Sequence, residues 1–139
     1  MAGMSNYLKV ELIKHVFRTG TFDDVAHLYI SLHTGDPTGA GLNEVSVTDT
    51  GYARVYCPSY DTSWSAPSDT NGRTENLIDI VFPTPTGSTN WGLITHFGIW
   101  DASTGGNFLL YAPLTPPKPV SQGQDAPKMS AGVLIVTFT

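Results

Sequence analysis

Charge is scarce in this chain: Asp, Glu, Lys and Arg make up 14% of its 139 residues, against roughly 25% in an average soluble domain. A surface so poor in ions is built from Thr, Ser and Asn, and suits a protein partly covered by partners. Basic groups are scarcest, with only Arg54, Arg73, Lys118 and Lys128 beyond residue 18. Such a set cannot form a stripe that neutralises a run of phosphates, which excludes direct nucleic-acid binding. Cys57 is the single cysteine, so an intrachain disulfide and a thiolate metal cluster are both excluded, and it reads as a small buried hydrophobe. No apolar run approaches the ~20 residues that span a bilayer. The first residues also lack the basic, apolar and small-residue order of a signal peptide. No membrane partner is expected, and synthesis in a cytoplasm is.

Turn formers and apolar residues are plentiful, with 14 Gly, 10 Pro and a 40% hydrophobic content. That profile predicts a mainly β fold, a single β-sandwich or jelly-roll-like domain with one N-terminal helix. Residues 1–139 are read as one domain, with 1–20 as helix and attachment arm and 21–139 as the β domain. Charge divides along the same line. Lys9, Lys14 and Arg18 against Glu11 give the first 18 residues a net +2, which leaves −7 of the overall −5 on the remainder.

The helix is expected over 5–18, with Ser5 as N-cap and Gly20 just past its end. Tyr7, Leu8, Val10, Leu12, Ile13, Val16 and Phe17 leave only a narrow polar stripe, so its apolar surface should be covered on more than one side, by the β domain or by a neighbour. Beyond Phe22 the period becomes two. Over 27–33, Leu28, Ile30 and Leu32 form the better core face, opposite His27, Tyr29, Ser31 and His33. A second strand over 52–57 sets Ala53, Val55 and Cys57 against Tyr52, Arg54 and Tyr56. A third over 77–82 points Ile78, Ile80 and Phe82 inward. Over 93–100 the set Ile94, His96, Gly98 and Trp100 alternates with Leu93, Thr95, Phe97 and Ile99, and apolar content on both faces marks a central strand. Residues 108–112 return as a hairpin arm. Pro113, Pro116, Pro117 and Pro119 then forbid a central strand, leaving a short edge strand near Val120. A last strand covers 132–139. The connections 34–50 and 58–73 are too long to be structureless and are expected to be ordered by contacts.

Catalytic signatures are missing: there is no Gly-x-Ser-x-Gly elbow, no Walker A loop and no Gly-x-Gly-x-x-Gly fingerprint. His27 and His33 share a strand face and His96 lies on another, but six residues along a strand separate the first two by ~20 Å, too far for one zinc. Asp61, Asp69, Glu75, Asp79 and Asp101 offer carboxylates without a defined pair. Asp23 and Asp24 read as turn residues, and no calcium-loop motif occurs. Trp64, Trp91 and Trp100 could stack on sugar, although Trp91 before an apolar strand reads more simply as a core-edge or interface residue. No enzyme activity, metal or other cofactor is expected.

The order of short motifs is informative. Ser5-Asn6-Tyr7-Leu8 is followed by Leu28-Tyr29-Ile30-Ser31-Leu32-His33-Thr34-Gly35-Asp36-Pro37, then Glu44-Val45 and Gly51-Tyr52-Ala53-Arg54. Ile80-Val81-Phe82-Pro83, Trp91-Gly92-Leu93-Ile94-Thr95-His96-Phe97-Gly98-Ile99-Trp100-Asp101, Gly105-Gly106-Asn107 and Ser130-Ala131-Gly132-Val133-Leu134-Ile135 complete the series. Over nearly the whole chain this succession resembles a family of short tailed-phage virion proteins, often labelled tail fibre proteins. The resemblance implies a structural component of the virion, made in the host cytoplasm. A compact domain with an N-terminal attachment is expected to act as a capsid cement (decoration) protein. It would oligomerise with itself, as a trimer, and brace the phage major capsid protein. The alternative is a tail fibre or tail-tip protein that contacts other tail proteins and a host receptor or glycan. Partner-binding residues are expected to be Met4, Tyr7, Leu8, Leu12, Trp64 and Trp91.

Overall fold

The computed structural model describes residues 2–22, 24–67, 70 and 72–138; Asp23 and Asp69, considered above, lie outside this set. Strand β1 (Gly3–Met4) leads into helix α1 (Asn6–Phe17), followed by β2 (His27–His33) and a short 3-10 turn at Thr38–Ala40. Then come β3 (Val55–Pro58), β4 (Arg73–Glu75), β5 (Ile80–Val81), β6 (Gly92–Trp100), β7 (Phe108–Val120), β8 (Lys128–Met129) and β9 (Ile135–Thr137). The helix starts where the cap demands: Ser5 is extended, and its Oγ accepts from the Leu8 N–H at 3.0 Å.

Five strands form an antiparallel sheet in the order β1-β7-β6-β2-β3, while β4 pairs with β9 and β5 with β8 as two separate ribbons. The core lies between the sheet and the ribbons. Ile30 and Leu32 of β2 stand opposite Ile99 and Phe97 of β6, and they share one buried cluster with Ile80, Phe82, Met129, Leu134 and Val136 from the ribbon side. This sandwich-like packing agrees with the mainly β expectation and with the face assigned to Ile30 and Leu32.

Local departures have local causes. The alternation along β6 breaks at a register shift between Ile94 and His96. That bulge turns Ile94 inward with Phe97 and Ile99 instead of leaving it beside His96 and Gly98. The prolines do not end β7. It runs on to Val120, with Pro113 opposite His96 and Pro119 opposite Leu93. The strand tolerates them because β1 covers its other side only at Leu110 and Tyr111, so the later residues form a sheet edge with an irregular register to β6, the setting in which strand prolines are accommodated. The strands expected over 77–82 and 132–139 shorten to Ile80–Val81 and Ile135–Thr137.

The long connections are held by the chain itself. Thr34 N–H donates to the Asn43 carbonyl, the Asp36 carboxylate accepts from Thr38 N–H, and the Asp49 carboxylate accepts from the Ser88 hydroxyl. In the second connection Ser59 Oγ donates to the Val25 carbonyl at 2.6 Å and Trp64 Nε1 to the Pro58 carbonyl at 3.1 Å. Cys57 is fully buried, and burial pushes its thiol up to about 11.

Asn76 fastens the ribbon layer. It is fully buried; its Oδ1 accepts from Leu134 N–H at 2.8 Å, and its Nδ2 donates to the Ile78 and Ser130 carbonyls at 2.8 and 3.0 Å. Asn76→Leu takes the partner from the buried Leu134 N–H and from the part-buried Ile78 and Ser130 carbonyls. A loss of about 3 kcal/mol is expected in urea unfolding, and an unchanged midpoint would show that the ribbons hold without it.

Candidate functional site

The sheet has a second face, and it is polar and aromatic. The strand register lines up Tyr56 of β3, Tyr29 of β2, Trp100 of β6 and Phe108 of β7 as direct cross-strand neighbours. Ring centroids lie 5.5 Å apart for Tyr29 and Tyr56 and 4.8 Å apart for Trp100 and Phe108, the tilted geometry that aromatic quadrupoles favour. Tyr111 stacks on the far side of Phe108 at 5.8 Å.

Arg54 pins the middle of this row. Its guanidinium carbon sits 3.7 Å over the Trp100 ring. Nε and Nη2 each donate to Glu44 at 2.8 Å, and Nη1 donates to the Ala102 and Gly105 carbonyls. Tyr52 OH donates to the same carboxylate and accepts from Leu32 N–H. Burial first, and the Glu44 charge second, push the Tyr52 phenol far up, so it stays neutral. Beneath this group Trp100 Nε1 donates to Ser31 Oγ at 3.0 Å, Ser31 Oγ lies 2.7 Å from His33 Nε2, and His33 Nδ1 lies 2.7 Å from the Leu42 carbonyl. A carbonyl can only accept, so Nδ1 carries the proton and Nε2 accepts from the serine. Gly98 is required here: a Cβ would fall 2.6 Å from the Phe108 ring and from Ser31 Oγ. Gly41, at φ +72°, gives Trp100 the same clearance from the other side.

The covered and open ends of the row differ. At the Phe108 end, α1 packs on β7 through Leu8, and Ser5 N–H donates to the Leu109 carbonyl. At the β3 edge, Tyr56 and Tyr60 are 44% and 58% exposed, and His27 Nδ1 lies 3.2 Å from Tyr56 OH. A cleft of about 350 Å³ adjoins that edge, lined by Tyr7 and Glu11 of α1, Phe22, Asp24, His27 and Asp101. A larger cavity of about 660 Å³ opens between the two layers, bounded by Phe82, Phe97, Met129 and the proline segment of β7.

The six residues expected at a partner surface do not come together. Trp91 is 3% exposed, donates Nε1 to the Thr50 carbonyl at 2.7 Å and meets Tyr52 edge-on; its place is the core, because the indole N–H finds an internal acceptor there. Leu8 is buried under its own helix. Met4 lies in β1 opposite Leu110, and Trp64 is half-buried beside Pro58. Tyr7 lines the small cleft and Leu12 stays 36% exposed. The tryptophans offer no common stacking surface, since Trp100 is covered by Arg54 and Phe108. The open aromatic group is instead the exposed Tyr56 and Tyr60 beside a half-buried Tyr29, and the alternation of strands 27–33 and 52–57 had already set Tyr29 and Tyr56 on non-core faces.

The remaining chemistry-bearing groups serve the fold. Glu75 pairs with Arg73, Asp79 with Lys128, and Asp101 accepts twice from Asn107. His33 and His96 stand opposite each other on adjacent strands. Among the described residues no three His, Cys, Asp or Glu side chains form a metal-ligand group, and no helix is long and apolar enough to cross a membrane.

Among known proteins, the family model described as "Podophage GP4 fiber I protein gp80" matches residues 3–137. No curated protein matches the chain.

Two outcomes are expected at this face. Arg54→Ala strands a partly buried Glu44 and should cost about 3 kcal/mol in urea unfolding; a change within error would show that the stack is dispensable. Burial lowers the pKa of His33 below its ordinary 6.5, so the unfolded chain takes up the proton first. Stability is then full above pH 6.5 and declines below it, down to the folded-state value. His33→Gln should flatten that decline between pH 8 and 5 in pH-resolved unfolding.

Proposed function

Because the chain belongs to the podophage GP4 fiber I protein gp80 family of tailed-phage virion structural proteins, we propose that it serves in the tail fibre or tail tip, joined to further copies of itself through α1. The observation that carries this reading is the outward side of the helix. Val10, Ile13 and Phe17 follow one another at spacings of three and four, and they are 49%, 56% and 79% exposed. Val16 lies alongside. Single apolar side chains on a surface are ordinary, but a continuous stripe on a helix anchored only through its first turns marks a contact surface.

Charge favours a second copy as the occupant. The helical segment carries a net +2 and the rest of the chain −7, so α1 of one subunit is attracted to the β domain of the next. Such a head-to-tail contact closes into a ring when its rotation allows, and a trimer is the smallest closed form beyond a dimer. Burying one large apolar side chain contributes roughly 1.5–3 kcal/mol, so a stripe of three supplies a modest contact that repetition around a ring makes durable. The activity is attachment rather than catalysis. A capsid cement role, with the same helix bracing the major capsid protein, would use this stripe equally well, but the fibre description of the family supports the tail reading better.

Val10→Asp combined with Phe17→Asp should leave the melting transition nearly unchanged, because neither side chain is in the core. It should also reduce the chain to a monomer in light scattering and remove it from assembled particles. Persistent oligomers would reject α1 as the contact. Antibody labelling that marks the whole shell in hundreds of copies, instead of the tail in a handful, would return the protein to the cement role.

A further inference from the structure

The β3 edge of the aromatic row carries features that assembly through α1 does not use. Tyr56 and Tyr29 face each other across the last strand pair, and His27 lies 5.6 Å from Tyr56 by ring centroid. Tyr60 follows on the connection just beyond β3. Ser59, between them in sequence, donates to the Val25 carbonyl and so ties this platform to the wall of the small cleft. The rings and the cleft therefore form one corner of the molecule, with His27 common to both.

The chemistry of that corner is specific. Tyrosine presents a flat apolar face with a hydroxyl at its rim, at a small cost in side-chain entropy. The cleft adds Glu11, Asp24 and Asp101 as hydrogen-bond acceptors. Asp24 accepts no hydrogen bond among the described residues, whereas Asp101 is already fixed by Asn107. Lys14 is paired with Glu11, and Arg54 with Glu44. A ligand suited to this corner has an apolar C–H face for the rings and O–H groups to donate to carboxylates, and it carries no negative charge. The cleft volume of about 350 Å³ falls in the roughly 300–1,000 Å³ range of small-ligand sites.

We infer that Tyr29, Tyr56, Tyr60 and His27, with the adjoining cleft, bind the pyranose rings of an uncharged glycan. Tyr56 is the principal stacking surface and Tyr60 a second one. The cleft carboxylates orient the sugar by accepting from its hydroxyls, and the same carboxylates discriminate against acidic sugars. This site adds a recognition surface to the tail reading without depending on self-association, since none of its stacking residues lies on α1.

The test is saturation-transfer NMR and titration of the purified full-length chain with neutral oligosaccharides: maltotriose, cellotriose, a galactose disaccharide and chitotriose. Sialyllactose and choline serve as the charged comparisons. At least one neutral sugar is expected to bind, with the strongest transfer from its axial C–H protons. Tyr56→Ala should weaken that binding about tenfold or more, and Tyr56→Phe should retain most of it. Both variants should melt and oligomerise like the parent, which separates this outcome from any failure of the α1 contact. Failure of all four neutral sugars to bind, a preference for choline or sialyllactose, or binding indifferent to Tyr56→Ala would each overturn the inference.

Discussion

The stack of Arg54 on Trp100 is the constraint on which the rest of the molecule leans. Its guanidinium meets three kinds of partner at once: an indole face, both oxygens of Glu44, and two carbonyls of the connection after β6. A planar fork can do this and an ammonium cannot. With the arginine in place, the segment before β3, the loop carrying Glu44 and the β6–β7 connection are fixed to one another. The row of rings from Tyr56 to Phe108 then has a defined height above the sheet. The Arg54 side chain is 8% exposed, and every buried side-chain polar atom among the described residues has a partner.

The two faces of the sheet divide the work. One is closed by the ribbons and filled with Ile, Leu, Phe and Val, which supplies most of the apolar burial. The other is closed by a small helix contact and a polar network, which supplies shape more than burial. That difference explains why α1 keeps a bare outer side. The N-cap and Leu8 suffice to dock it.

Much of the fold was legible because its main elements follow clean periods. Ser5 as cap, the helix and β2 could be placed from spacing alone, and the inward set Ile30, Leu32, Ile80 and Phe82 followed from alternation. What was not legible lacks a period or depends on distant neighbours. Strands β4 and β8, of three and two residues, are too short to show alternation and exist because Asn76 and the core hold their surroundings. The inward turn of Ile94 depends on a bulge that sequence does not announce. The expected site suffered from judging residues by type: tryptophan suggested an interface, yet Trp91 found its acceptor inside, and the exposed rings are tyrosines whose grouping depends on the pairing of β2 with β3.

The proline segment of β7 has a consequence for how such molecules can be crowded together. Pro113, Pro116, Pro117 and Pro119, none of which has an amide hydrogen to donate, all fall in the stretch of β7 that β1 leaves uncovered. A foreign strand approaching there meets an irregular, proline-interrupted edge that is short of donors, which disfavours a regular ladder. Subunits brought to high density on a particle are thereby biased against fusing into a continuous cross-strand ribbon, and their order is left to side-chain surfaces that can be matched one pair at a time.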